Sequence, residues 1–237
     1  MTIVYGTMSS KGGAGKTTLA TIIAGEYAIA DKRVLLIDAD PSQNLQAWWT
    51  LSGEKKKQPE NTDFISALTV AVLENIMTQR KSDYDVIIVD TAGRDSIVLS
   101  EILNYADLIL TPIQPAKREI DAAHSAAETI ADYNDEHSRK VAHLVVRTRI
   151  KVTDRHSDNY RFIRPFIEHL RTAGGMESTR LLDAELYERN VYREIANGYG
   201  TVQMQEITDG VKKARLEVIA LLREIESHIP AHKLEAA

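Results

Sequence analysis

The stretch Ser9-Ser10-Lys11-Gly12-Gly13-Ala14-Gly15-Lys16-Thr17-Thr18 restricts this chain to a narrow set of folds. It follows an apolar run, Ile3-Val4-Tyr5, and opens a helical pattern in which Leu19, Ile22, Ile23 and Tyr27 recur on one face. Gly12, Gly13 and Gly15 let the backbone curl tightly and turn its N–H groups toward an anion. The start of the helix near Lys16 adds the positive end of its dipole. Lys16 offers a point charge to the β- and γ-phosphates of a nucleotide, and the Thr17 hydroxyl suits Mg²⁺. Strand, glycine loop and helix start, in that order, are what a phosphate-binding loop requires. The spacing is a variant one, Lys-Gly-Gly-x-Gly-Lys-Thr, with an additional lysine at Lys11.

Two later segments supply carboxylates. Val34-Leu35-Leu36-Ile37 is continuously apolar, the pattern of a strand buried on both faces, and ends in Asp38-Ala39-Asp40-Pro41. Val86-Ile87-Ile88-Val89 ends in Asp90-Thr91-Ala92-Gly93. Ligand groups of parallel sheets gather at the carboxyl ends of the strands. Asp38, Asp40 and Asp90 placed there can orient a water or hold Mg²⁺ through its hydration shell. A second use is open for the first pair: Asp40 or Ser42 can cap a helix over residues 43–50.

The remainder alternates strand and helix, which predicts an α/β fold with a mostly parallel twisted sheet and helices on both faces. Residues 52–62 read as a polar loop with three solvated lysines, and 64–80 as a helix. Residues 107–112 form a strand that leads into the extended Ile113-Gln114-Pro115, followed by a helix from Lys117 to Tyr133. A strand at 141–146 ends in Arg147-Thr148-Arg149. A helix follows over 157–172, then a short strand at 180–182. Arg189 and Arg193 are four apart and share a face if their segment is helical; Glu185 is the natural ion-pair partner of Arg189 on that helix. The last helix, over 205–228, carries the stripe Ile207, Val211, Ala214, Val218, Leu221, Ile225, with Lys212, Lys213 and Arg215 off it. Of the adjacent Trp48 and Trp49, one packs inward and the other less so.

Composition removes several classes. The chain has 237 residues, 43% hydrophobic and 27% charged, the make-up of an ordinary globular α/β domain. It has no cysteine, so disulfides, thiolate zinc sites and iron–sulfur clusters are excluded. No apolar run reaches the roughly 18–20 residues that span a bilayer, and no signal-peptide pattern opens the chain. A net charge of −5 means that any contact with nucleic acid uses a local basic patch.

The motifs together resemble the deviant Walker-A ATPases of the ParA/MinD superfamily, most closely the small plasmid-partition ATPases and VirC1-like relatives. The resemblance implies a single P-loop domain over residues 1–228, with 229–237 an unstructured or cloning-derived tail. It implies ATP and Mg²⁺ as cofactors, with Gly12, Gly13, Ala14, Gly15, Lys16, Thr17 and Thr18 around the phosphates. Lys11 reaches the nucleotide of a second copy across an ATP-dependent homodimer. Asp40 positions the attacking water, with Lys11 and Lys16 assisting catalysis. Thr17, Asp38, Asp40 and Asp90 surround the metal, and the Gly93 N–H senses the γ-phosphate. Thr148-Arg149 stands where the family has an Asn-Arg pair against the adenine. Arg189, Arg193, Lys212, Lys213 and Arg215 form a patch for non-specific DNA, and a ParB-like or adaptor partner stimulates hydrolysis. The expected setting is cytoplasmic, on the nucleoid when ATP is bound. Because the first strand begins almost at Met1, no helix-turn-helix extension, and so no operator-specific DNA binding, is expected. Two alternatives share the fold: a MinD-like membrane-surface ATPase and an ATP-dependent metabolic ligase.

Overall fold

The structure, a computed structural model, describes residues 1–9, 13–92 and 97–234. Seven parallel strands form one sheet: β1 (Ile3–Thr7), β2 (Val34–Ala39), β3 (Thr62–Ser66), β4 (Val86–Thr91), β5 (Leu108–Ile113), β6 (Ala142–Ile150) and β7 (Thr179–Tyr187). Their order is β3-β2-β4-β1-β5-β6-β7. From β1 the chain moves to one side for β2 to β4 and to the other for β5 to β7. The crevice beside the carboxyl end of β1 is therefore the topological switch point, where such sheets bind ligands.

The apolar runs dictate this arrangement. In β2 and β4 alternate side chains enter opposite cores: Leu36 and Ile88 face one, Leu35 and Ile87 the other. The first core is covered by α1 (Lys16–Ile29), α2 (Asn44–Glu54), α7 (Asn190–Ala196) and α8 (Asp209–Glu226). The second lies under α3 (Val70–Gln79), α4 (Ile97–Leu103) and α5 (Lys117–Glu136), and a third joins α5 to α6 (Asp158–Thr172). Trp48 belongs to the first core, while Trp49 is half-buried and stacks on Phe64, ring centroids 5.8 Å apart.

Four expectations are corrected. The helix placed at 64–80 begins only at Val70, where the Thr69 hydroxyl caps it by accepting the Val72 N–H at 3.4 Å. Residues 62–66 instead pair with β2 as an edge strand, whose half-polar alternation a helical count overlooks. The strand at 180–182 extends to nine residues, which shortens the helix after it. The last helix starts at Asp209, capped by Thr208, so Ile207 lies outside it and is 66% exposed.

The tail is also not loose through 234. Ile229 is buried in the first core and Leu234 packs against it. The short α9 (Ala231–Leu234) brings Lys233 Nζ to 2.5 Å from Asp107 Oδ1. Asp107 also pairs with Arg139 at 3.1 Å and accepts the Val4 N–H at 3.0 Å.

Candidate active site

The loop between β1 and α1 turns through Gly13 at φ 79° and Gly15 at φ 115°, a backbone state that strains any residue bearing a Cβ. That turn starts α1 at Lys16, and the Gly15 carbonyl accepts the Leu19 N–H at 2.9 Å. Lys16 is 8% exposed, with Nζ 3.6 Å from Asp40 Oδ2.

Strand pairing places Thr7 opposite Asp90. The Thr7 hydroxyl donates to Asp90 Oδ1 at 2.8 Å, and the Thr17 hydroxyl donates to Asp90 Oδ2 at 2.6 Å. Burial pushes the Asp90 carboxyl up to about 6, against the hydroxyl donors and Lys16, which hold it down. Because Thr17 gives its hydrogen to Asp90, its oxygen lone pairs remain available to a cation.

Asp38 is fully buried. It accepts the Asp40 N–H at 3.0 Å on Oδ1 and the Gln46 N–H at 2.8 Å on Oδ2. Burial raises its carboxyl and these two backbone donors oppose the rise. Asp38 therefore braces the turn that carries Asp40 and satisfies an orphan N–H at the start of α2. This corrects the expectation that Asp40 or Ser42 caps that helix: Gln43 occupies the cap at φ 51° with no side-chain bond, and Asp40 Oδ1 accepts the Ser42 N–H at 2.9 Å.

A cavity of about 430 Å³ opens beside the loop, lined by Gly13, Gly15, Lys16, Thr17, Thr18 and Asp40, among others. Gly15, Thr18 and Arg149 also wall a second hollow of about 220 Å³ toward the ends of β6 and β7, closed by Leu186 and Tyr192. The two form one trough from the phosphate loop to the β6–β7 edge. Asp38 and Asp90 stand behind this trough, so among the metal candidates Thr17 and Asp40 face it directly. No group of three or more acidic or histidine residues that could hold a metal ion occurs among the described residues. Such a donor set fits Mg²⁺, which is usually held by one or two protein oxygens, waters and substrate phosphates rather than by a protein cage. Lys11, Gly12 and Gly93 lie outside the described residues.

Thr148 is 4% exposed, and its hydroxyl donates to the Ala14 carbonyl at 3.1 Å, with the Ile113 carbonyl at 3.4 Å. Arg149 is exposed, at φ 53°. Thr7 was not singled out in the sequence; a threonine ending the strand before a phosphate loop is the signal that would have found it.

The basic segment is less uniform than the sequence suggests. Arg189 is not on a helix shared with Arg193: β7 runs to Tyr187, and Arg189 is the extended residue before α7, at φ −137°. Its guanidinium is spent on Glu217, with Nε 3.0 Å from both carboxylate oxygens. Glu185, the expected partner of Arg189, pairs with Arg147 and Arg155. Arg215 donates to the carbonyls of Val202, Gln203 and Gln205. Arg193 is exposed and pairs with Glu188 at 2.9 Å. Lys212 is exposed beside Asp209 at 3.5 Å, and Lys213 is exposed. A larger groove of about 910 Å³ between α7 and the start of α8 includes none of the phosphate-loop residues and sets Glu188, Glu194 and Glu206 against Lys57 and Arg189.

The family model described as VirC1 protein matches residues 1–226. The chain belongs to the VirC1 family. Protein ParA of Rhizobium radiobacter is 30% identical over 209 residues, which cover 88% of this chain and 89% of that one. The MinD cell division protein of Aquifex aeolicus shares the fold at a TM-score of 0.67 and 20% identity, over 93% of this chain and 97% of that one. An ATP complex of a Cyanothece McdA variant gives 0.66 at 18% identity, over 93% and 96%. The VirC1-family chain thus has the P-loop architecture of the ParA/MinD-type plasmid-partition ATPases, with the phosphate-loop lysine and threonine at the sheet edge that this fold uses for ligands.

Proposed function

We propose that this chain binds and hydrolyses ATP, and that the cycle of binding and hydrolysis controls its hold on DNA. The observation that carries the reading is the meeting of Lys16, Thr17, Asp40 and Asp90 around the left-handed turn at Gly15. Lys16 is held by Asp40 in the ligand-free site. A triphosphate draws the ammonium to its own oxygens and leaves the Asp40 carboxylate to orient the attacking water. Thr17 would hold Mg²⁺ at the trough, with Asp90 behind it and Asp40 facing the same space, and the ion would neutralise charge on the phosphates. The buried Asp90 keeps the Thr17 hydroxyl turned for that role.

ATP joins two copies face to face, with Lys11 of each reaching the nucleotide of the other, as the family resemblance implies. Pairing doubles a weak patch of exposed cations, Arg193, Lys212 and Lys213, so that two modest phosphate contacts act together on DNA. A ParB-like or adaptor protein stimulates hydrolysis and releases the pair, in the cytoplasm and on the nucleoid. Residues 229–234 pack on the first core and on Asp107, so this stretch is not free to lie on a membrane surface. No helix among the described residues is long and apolar enough to cross a membrane.

Lys16→Ala is expected to abolish ATP binding in calorimetry, and with it the ATP-analogue-dependent doubling of mass in light scattering. Unchanged affinity in that variant refutes the assignment of the site. A mass that stays monomeric with the analogue in the unaltered protein refutes the dimer while leaving the site intact.

A further inference from the structure

We propose that Thr148 is a positioning residue for the phosphate loop and takes no part in reading the base. The inference rests on the nucleotide site proposed above and goes beyond it, since it reassigns the residue standing where a base-reading side chain is expected.

Two observations converge on Thr148. Its hydroxyl donates to the Ala14 carbonyl inside the glycine loop, 134 residues away in sequence, in a buried bond of 3.1 Å, with the Ile113 carbonyl a longer second acceptor at 3.4 Å. The neighbouring Gly15, at φ 115°, lies against it: a Cβ there would be in van der Waals contact, 3.5 Å from Thr148 Oγ1. Thr148 thus seals the back of the turn that aims the loop's N–H groups at a phosphate. A hydroxyl has one hydrogen to give, and giving it to a main-chain carbonyl leaves none to donate to a base, while burial at 4% exposure keeps its remaining lone pairs from a base amine.

The strand end that carries Thr148 is held from its other face. Consecutive strand residues point to opposite sides, so Arg147 turns away from the loop. Its guanidinium is buried, donates to the Leu182 and Asp183 carbonyls, and has Nε 3.3 Å from Glu185 Oε2. Glu185 also accepts the Tyr160 hydroxyl at 2.8 Å. Between Val145 and Ile150 the register of β6 against β7 shifts twice. The ion pair fixes β6 in that shifted register and so fixes the height at which Thr148 meets Ala14.

The two roles predict different ligand dependence. Loss of a base contact weakens ATP binding and leaves GTP and inorganic triphosphate unaffected. Loss of the loop clamp weakens all three alike, because each uses the same phosphate cradle. The test measures Mg²⁺-dependent binding of ATP, GTP and inorganic triphosphate to Thr148→Val and Thr148→Ser, with melting of the nucleotide-free proteins recorded beside it. Thr148→Val keeps the shape and removes the hydroxyl, leaving the Ala14 carbonyl unmet; the expected loss is roughly tenfold for each ligand. Thr148→Ser keeps the oxygen and is expected to bind all three within about twofold of the unaltered protein. A loss confined to ATP overturns the proposal, as does no loss with valine. An equal loss with serine also overturns it, because the methyl packing rather than the hydroxyl then matters. Failure of the unaltered protein to bind any of the three refutes the nucleotide site itself and is told apart by that control.

Discussion

Asp40 is placed by other side chains more than by its own bonds. Asp38 beneath it accepts its N–H, and Lys16 beside it faces its carboxylate. Removing the Asp40 side chain leaves the phosphate loop and Thr17 in place, so Asp40→Ala is expected to bind ATP within a few-fold of the unaltered protein while turnover falls by 10²-fold or more, the range for a lost water-orienting group. Single-turnover measurement beside a binding isotherm checks this, and unchanged turnover removes Asp40 from the chemistry. The Lys-Thr pair and the three aspartates were legible in the sequence because each ends an apolar run or a glycine turn. Their division of labour was not. Whether a carboxylate faces a cavity or braces a turn depends on backbone N–H groups such as that of Gln46, eight residues from Asp38.

Elements differ from expectation wherever a cap or a pairing partner decides a boundary. Thr69 and Thr208 each stop a helix short of where apolar periodicity alone would start it. The consequence is sharpest before α7. Arg189 lies outside the helix and fastens β7 to α8 through Glu217, whereas Arg193 one turn on is 70% exposed at its side chain. Arg189→Glu therefore places two carboxylates together in a half-buried site and is expected to cost about 2–4 kcal/mol of stability. Arg193→Glu is expected to leave stability within about 0.5 kcal/mol and to weaken DNA binding. Urea unfolding and a gel shift at two salt concentrations separate the two. Helix α1 makes a similar point at Gly25, where an added Cβ would lie 2.6 Å from the Thr201 Cβ. Gly25→Ala should lower stability by about 1–3 kcal/mol despite the better helix propensity of alanine, because Thr201, buried at 1% exposure, must shift to admit the methyl. A rise in melting temperature would show that the turn yields.

For the molecule taken together, two buried titratable groups pull its pH dependence in opposite directions. His143, wholly buried between the Thr111 and Thr179 hydroxyls, is pushed by desolvation from 6.5 down to about 3. The unfolded chain binds that proton first, so stability is lost as pH falls from about 6.5 toward 3. Asp90 is raised from 3.8 to about 6, so the folded chain holds its proton longer and stability declines as pH rises from about 4 to 6. In metal-free protein, Asp90→Asn is expected to gain stability relative to the unaltered chain across that window, approaching about 3 kcal/mol at pH 7. Denaturant titrations at four pH values test it, and an offset constant with pH overturns it. The parallel α/β architecture was readable from alternating apolar runs. The edge strand β3 and the docked tail were not, because each depends on a partner distant in sequence, β2 for one and Asp107 for the other.

That docking has a practical corollary. Thr2 hydrogen-bonds to the Lys81 and Tyr84 carbonyls just ahead of β4, and Lys233 meets Asp107 just ahead of β5. Both ends of the described chain thus emerge from the rim of the sheet farthest from the glycine turn. A fluorescent label or surface tether joined at either end will leave the trough's mouth open, so single-molecule recordings of occupancy and release can be made without obstructing entry.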